Sequence, residues 1–256
     1  MKEFDKLKQI VADLRDPETG CPWDLKQTPQ SMVPNFIEEL YECIEAIEEE
    51  SSEDLEEELG DLMLHIMMQV QIAEEHRKFT MQGVLDKISQ KLIRRHPHIF
   101  GDGEATDVNG VRMNWEKIKM QEKAHRKSVL EGIPKNMPAL IVAQRMQEKA
   151  ASVGFDWKSV EPAIMKLEEE TLEFDEAYKA NDLKEMENEL GDMLFSIVNI
   201  ARKLDFDTET ALRKTIKKFE RRFSFVEKTF NDKKRDMKEC TLAELDEVWD
   251  EAKAQE

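Results

Sequence analysis

The sequence predicts an all-α protein built as two tandem, four-helix-bundle-like domains. Apolar residues recur at helical spacing along most of the chain, and no segment shows sustained two-residue alternation bounded by turn formers. One arrangement of acids occurs twice, displaced by 131 residues with no change of internal spacing. Between the copies, residues 130–138 hold two prolines and a glycine, which marks a linker between a domain at 1–129 and another at 139–256. At 256 residues the chain is long enough for each half to bury a core.

In the first half, Phe4, Leu7, Ile10, Val11 and Leu14 make an amphipathic helix over 4–14, broken by the turn formers of Asp16-Pro17-Glu18-Thr19-Gly20-Cys21-Pro22. Helix 31–50 carries a stripe of Val33, Phe36, Ile37, Leu40, Ile44 and Ile47, which the periodicity assigns to the domain core. Its partner, 54–76, carries Leu55, Leu59, Leu62, Ile66, Val70 and Ala73. Met67 and Met68 read as core filler. Helix 80–95 stops before His96-Pro97-His98, an ordered turn, and is followed by a Gly- and Asp-rich loop at 101–110 and a helix at 111–126 containing Trp115. The second half repeats the plan. Helix 139–151 leads into Val153-Gly154-Phe155-Asp156-Trp157, the counterpart of the Trp23 turn. Helices 162–180, 182–204, 208–231 and 242–254 follow, the last containing Trp249.

The repeated acids are Glu38, Glu39 and Glu42 with Glu58 and Asp61, and Glu169, Glu170 and Glu173 with Glu189 and Asp192. Residues three apart share a helix face, so Glu39 projects beside Glu42 and Glu58 beside Asp61. The gap between the paired acids lets the chain turn and return antiparallel, bringing four carboxylates together between two helices. Glu58 and Asp61 fall beside the apolar stripe, whereas a merely solubilising acid such as Glu57 lies opposite it. Four hard oxygen donors suit Mg²⁺, with Mn²⁺ as a substitute. Lys91 and Arg95 are matched by Lys218 and Arg222, one helical turn apart, and Trp115 is matched by Trp249. Paired cations can hold phosphates, and a tryptophan offers a stacking platform to a base. Asn199, seven residues past Asp192, adds a donor and an acceptor for a sugar or base edge. Metal, phosphate clamp and base platform together point to a nucleoside polyphosphate.

Composition narrows the alternatives. A formal charge of −18 argues against a binder of nucleic-acid polymers, which needs a basic footprint. No run of apolar residues is long enough to span a membrane, and the N-terminus has no secretory core, so a cytoplasmic protein is expected. Three widely spaced cysteines without zinc-ligand spacing read as reduced thiols. A di-iron carboxylate bundle would need Glu-x-x-His pairs, and Glu42 is followed at that offset by Glu45, Glu58 by Asp61. A non-catalytic nucleotide-binding regulator stays open on these residues, since ligands do not prove turnover.

The chain resembles the MazG-type nucleoside triphosphate pyrophosphohydrolases. The likeness rests on Asp16-Pro17-Glu18-x-Gly20-Cys21-Pro22-Trp23-Asp24, both acid sets, Arg94-Arg95-His96-Pro97-His98-Ile99-Phe100, Val153-Gly154-Phe155-Asp156-Trp157 and Lys218-Phe219-Glu220-Arg221-Arg222-Phe223. It implies the all-α NTP pyrophosphatase fold in tandem and a homodimer. It also implies Mg²⁺-dependent cleavage between the α and β phosphates, for nucleotide-pool housekeeping with broad base tolerance. On this resemblance Glu170, Glu173, Glu189 and Asp192 hold the metal, as do Glu39, Glu42, Glu58 and Asp61 in the other set. Glu38 and Glu169 stand outside and orient water, while Lys218, Arg222 and Trp249 contact phosphates and base. The C-terminal half is the expected principal catalyst and the N-terminal half the dimerisation module. Met68 at the position matching Asn199 fits that division; the persistence of Lys91, Arg95 and Trp115 does not.

Overall fold

A computed structural model describes residues 2–102, 107, 110, 111, 115, 118, 122 and 128–255. All regular structure among them is helical. The chain divides into two compact units, Met1–Glu122 and Lys123–Glu256, so the stretch expected as a linker, 130–138, lies inside the second unit. Much of the loop at 101–110 and of the helix at 111–126 lies outside the described residues.

The first unit contains α1 (Lys2–Leu14), α2 (Pro22–Leu25), α3 (Val33–Glu48), α4 (Ser52–Glu75), α5 (Met81–Arg95) and α6 (Pro97–Phe100). The second contains α7 (Ala139–Ala151), α8 (Glu161–Ala180), α9 (Leu183–Lys203), α10 (Thr208–Asp232), a 3-10 turn at Met237–Glu239, and α11 (Leu242–Ala254). In each unit the acid-bearing helices pair with one another, α3 with α4 and α8 with α9. The short helices α2 and α6 and the 3-10 turn have no counterpart in the periodicity, because one turn is too short to show a period. His96-Pro97-His98 accordingly opens a one-turn helix instead of a bare turn.

The constant spacing between the acids has a local cause. Glu50 (φ +56°) and Asn181 (φ +55°), which are 131 residues apart, end the first helix of each pair in the left-handed region. The next residue caps the second helix: Ser51 Oγ accepts from the Asp54 N–H, and Asp182 Oδ1 from those of Lys184 and Glu185. A left-handed residue followed directly by an N-cap reverses the chain in the fewest residues. Any insertion there would rotate one acid pair off the other.

The seam between paired helices is narrow and made of small residues. Ala163, Glu170 and Ala177, spaced seven apart, are the buried residues of α8, and the matching positions of the first unit are Met32, Glu39 and Ala46. Seven residues are close to two helical turns, so one acid of each motif falls on the line of closest approach. Here the structure corrects the expectation for the large apolar stripe. Phe36, Ile37, Leu40 and Ile47 are exposed within the single chain. The core of the first unit is instead built by α1, α4 and α5, around Val11, Met67, Met68, Ile72 and Met81. A second core joins Val226 and Phe230 of α10 to Val248 of α11, with Trp249 packed on it.

The Val153-Gly154-Phe155-Asp156-Trp157 stretch is a clasp. Arg202 Nη1 and Nη2 donate to Asp156 at 3.1 and 2.6 Å, Lys203 Nζ donates to it at 2.8 Å, and Lys203 also reaches the Trp157 carbonyl. The Arg202 and Lys203 hydrogen bonds hold the Asp156 carboxyl down at about 2. A folded-state value below the unfolded one stabilises the fold above about pH 4, and the benefit fades as pH falls toward 2. Asp156→Asn is expected to cost about 1–2 kcal/mol at pH 7, discounted for partial exposure. Urea midpoints of variant and wild type should converge between pH 4 and pH 2. A gap that persists at pH 2 would reassign the effect to packing.

Candidate active site

In the second unit the α8–α9 seam gathers three acids. Single carboxylate oxygens of Glu170, Glu173 and Glu189 lie within 4.8 Å of one another, with Glu170 only 5% exposed. Asp192 is exposed on α9 and is not in this group. Three carboxylates this close shift one another's titration. The hydrogen bond from Lys166, four residues earlier on α8, keeps Glu170 below the usual range. Glu173, bonded to Glu170, and Glu189, desolvated and bonded to Glu170, are pushed up. Of the three, Glu170 is therefore the one whose charged form is favoured, while the charged forms of its neighbours are disfavoured. Lys166 Nζ stands 2.6 Å from Glu170 and 2.7 Å from Glu169, so Glu169 turns toward the lysine. Lys166 escaped the sequence reading, although its spacing ahead of Glu170 is that of a helical ion pair.

In the first unit the triad is a different selection from the same motif. Glu39, Glu58 and Asp61, all half-buried, converge within 4.8 Å, while Glu42 is exposed and is not in this group. Burial and the neighbouring acids raise Glu39 and Glu58. His65, four residues past Asp61, brings its Nε2 to 3.6 Å from Glu39 Oε1. It too escaped the sequence reading, which gave His65 no role. Glu38 is exposed on α3.

The candidate phosphate and base residues are gathered on α10 and α11. The Arg222 guanidinium lies 5.8 Å from the Trp249 ring centroid, and Phe219 packs on the same ring at 5.2 Å. Trp249 is thus half-buried core as well as a candidate platform. Lys218 is exposed on α10. Asn199 is already engaged: its Oδ1 accepts from Arg202 Nε and Nη2 at 3.2 and 2.6 Å, which links it to the Asp156 clasp. In the first unit Arg95 is buried, stacks over Trp115 at 5.4 Å, and donates to Glu122 Oε2 at 3.1 and 2.5 Å. Hydrogen bonds from Arg95 and Arg94 hold Glu122 at about 2. Lys91 is exposed on α5. Its own chain therefore supplies the anion that Arg95 binds.

Acid clusters held between antiparallel helices offer oxygen donors to a hard cation, and a guanidinium stacked on a tryptophan in the same unit offers donors to a phosphate. Comparison with known proteins makes this specific. The model of the MazG nucleotide pyrophosphohydrolase domain matches residues 27–100 and 158–226, together more than half of the chain. The nucleoside triphosphate pyrophosphohydrolase/pyrophosphatase MazG of Thermotoga maritima is 46% identical, over 98% of this chain and 95% of that one. The nucleoside triphosphate pyrophosphohydrolase of Escherichia coli is 41% identical, over 100% and 99%. A Bacillus subtilis protein named only YabN is 43% identical over 99% of this chain and 52% of its own length. The chain belongs to the MazG nucleotide pyrophosphohydrolase family, hydrolases of phosphoric anhydrides.

Proposed function

We propose that this chain cleaves nucleoside triphosphates between the α and β phosphates, with Mg²⁺ as cofactor, releasing a nucleoside monophosphate and pyrophosphate. The observation that carries the proposal is the Glu170, Glu173 and Glu189 cluster, its oxygens within 4.8 Å around a buried carboxylate. Donors on one ion at about 2.1 Å stand roughly 3 Å apart when adjacent and 4.2 Å when opposite, so the cluster fits a small cation after a slight contraction. The raised Glu173 and Glu189 fit as well, since a bound cation would offset the desolvation and like charge that push them up. Asp192 and Glu169, on the same two helices, complete the set. Bound Mg²⁺ would supply charge neutralisation and a lowered pKa for an attacking water.

The chain's own residues do the rest. Glu170, fixed by the seam, sets the cluster's position; Glu169 is exposed enough to orient water. Lys218 and Arg222 offset the charge that builds on departing pyrophosphate. Trp249 and Asn199 receive base and sugar, a contact tolerant of every base. Lys91, Arg95 and Trp115 would do the same work beside Glu39, Glu42, Glu58 and Asp61 in the first unit, with Arg95 exchanging Glu122 for a phosphate. The names of the Thermotoga and Escherichia relatives support the substrate class. No helix among the described residues is long and apolar enough to cross a membrane. The exposed apolar stripes of both helix pairs suit a second copy of the chain, and we include a cytoplasmic homodimer in the proposal.

Incubating the purified chain with a panel of ribo- and deoxynucleoside triphosphates, with and without Mg²⁺, tests the reading. Monophosphate and pyrophosphate should appear only with the metal. Diphosphate with inorganic phosphate would mean the wrong bond was assigned, and no product across the panel would favour a nucleotide-binding regulator.

A further inference from the structure

Asn199 and Arg202 stand three residues apart on α9 and share a face of that helix. The Arg202 guanidinium grips two neighbours. Its Nε and Nη2 donate to Asn199 Oδ1 at 3.2 and 2.6 Å, and its Nη1 and Nη2 donate to the Asp156 carboxylate at 3.1 and 2.6 Å. A guanidinium has no acceptor, so it can meet only the oxygen of an amide. Turning Asn199 over would set its NH2 group against N–H donors. Hydrogen bonds to a charged group are about twice as strong as neutral ones, and the Arg202 side chain is only 12% exposed to competing water. Asp156, held at about 2, keeps its charge and anchors the guanidinium from the other side. The oxygen of the amide is therefore occupied. Its Nδ2 makes no hydrogen bond among the described residues, and Asn199 is half-buried.

At the repeat positions of the first unit stand Met68, which is buried in its core, and Gln71, which donates to Glu75 at 3.3 Å. The pair thus has no counterpart there. Asn199 lies seven residues beyond Asp192, about 10 Å along the helix axis, past the acids and toward the nucleoside end of a nucleotide held by them. We infer that Arg202 is a positioning residue, which holds the Asn199 amide so that the site offers the nucleoside an N–H donor and reads a hydrogen-bond acceptor there. This rests on the reading that Asn199 meets base or sugar. An amide held in this way anchors a nucleoside without choosing among bases. Pyrimidine O2 and purine N3, both beside the glycosidic bond, are acceptors in all four bases, and the sugar hydroxyl oxygens accept as well. A rotatable amide would also meet amino groups, which differ from base to base.

The test compares kcat/KM of the full chain, followed by pyrophosphate release, on dATP and two analogues. In 3-deaza-dATP a C–H replaces purine N3, and 2′,3′-dideoxy-ATP lacks the sugar hydroxyls. At least one analogue should fall about tenfold or more below dATP, and the one that falls names the acceptor. Asn199→Asp keeps an oxygen for Arg202 but has no N–H to give. Its fold should hold, KM for dATP should rise about tenfold, and the discrimination should shrink to near one. Arg202→Met removes every donor to the amide, and Arg202→Lys keeps a charge for Asp156 without the planar fork, which guards the fold. Both should lose most of the same discrimination. Discrimination unchanged in both Arg202 variants overturns the positioning role and leaves the Asn199 contact standing. Equal kcat/KM for all three substrates in wild type, or discrimination unchanged in Asn199→Asp, overturns the contact as well. No turnover of dATP by wild type overturns the pyrophosphohydrolase reading and this inference with it.

Discussion

Glu170→Gln is expected to lower kcat/KM for nucleoside triphosphates about a thousandfold or more, a loss of about 4 kcal/mol in transition-state stabilisation. The carboxylate sits on the seam line between Ala163 and Ala177 and is almost fully buried, so its position is set by helix packing and not by solvent. Its charge is set by Lys166 at 2.6 Å. Glutamine has nearly the same shape and keeps one oxygen, so the seam should close as before. What it removes is the formal charge and the second acceptor, the features a hard cation needs. Thermal unfolding should stay close to wild type, because Lys166 is partly exposed and can return to water. The expected result is therefore loss of turnover, a rightward shift of the Mg²⁺ dependence, and an unchanged circular-dichroism spectrum. Turnover within about tenfold of wild type would sink the assignment of this cluster, since removing a ligand of an essential ion costs more than that.

Some of this site was legible in the sequence because it is written in helical period. Glu39 and Glu170 were found by spacing, and the reversal at Glu50 and Asn181 keeps that spacing the same in both halves. Which acids actually converge was not legible. Glu173 joins the second triad and Asp192 does not, whereas Asp61 joins the first and Glu42 does not. That choice depends on the rotation of one helix against the other, to which a one-dimensional pattern is blind. The apolar stripes misled for a related reason. A hydrophobic face says that something covers it, and Phe36 and Leu40 were assigned to the chain's own core although they face outward. The covering seam is made of Ala46, Ala163 and Ala177, whose small side chains carry little hydrophobic signal but let the helices approach. Arg95 shows a third kind of blindness. Its charge was read toward a nucleotide, while Glu122, far along the chain, meets it at 2.5 Å.

Glu75→Ala is expected to destabilise the first unit by about 3 kcal/mol or more, the usual cost of removing one member of a buried pair. Arg15 leaves α1 with its side chain 5% exposed. Its Nε and Nη2 donate to Glu75 Oε1 and Oε2 at 2.8 and 2.7 Å, a fork that fits one carboxylate. Its Nη1 donates to the carbonyl of Asp24 and, at 3.4 Å, to that of Gln27. One guanidinium thereby ties the last turn of α4 to α2 and the residues just after it. The side-chain hydrogen bond raises Arg15 and lowers Glu75, so both stay charged across the ordinary pH range. Alanine at 75 leaves a buried cation with two carbonyls and only the weaker pull of the Asp24 carboxylate as counter-charge. With a urea slope of about 1–3 kcal/mol per molar, the unfolding midpoint of this unit should fall by about 1 M or more. Arg15→Met with Glu75→Met separates charge from attachment, because a buried pair replaced by apolar groups of similar volume is often neutral. A double variant more stable than Glu75→Ala would assign the loss to the stranded charge. A double variant equally unstable would assign it to the carbonyls of Asp24 and Gln27, which only a cationic side chain at position 15 can hold against α4.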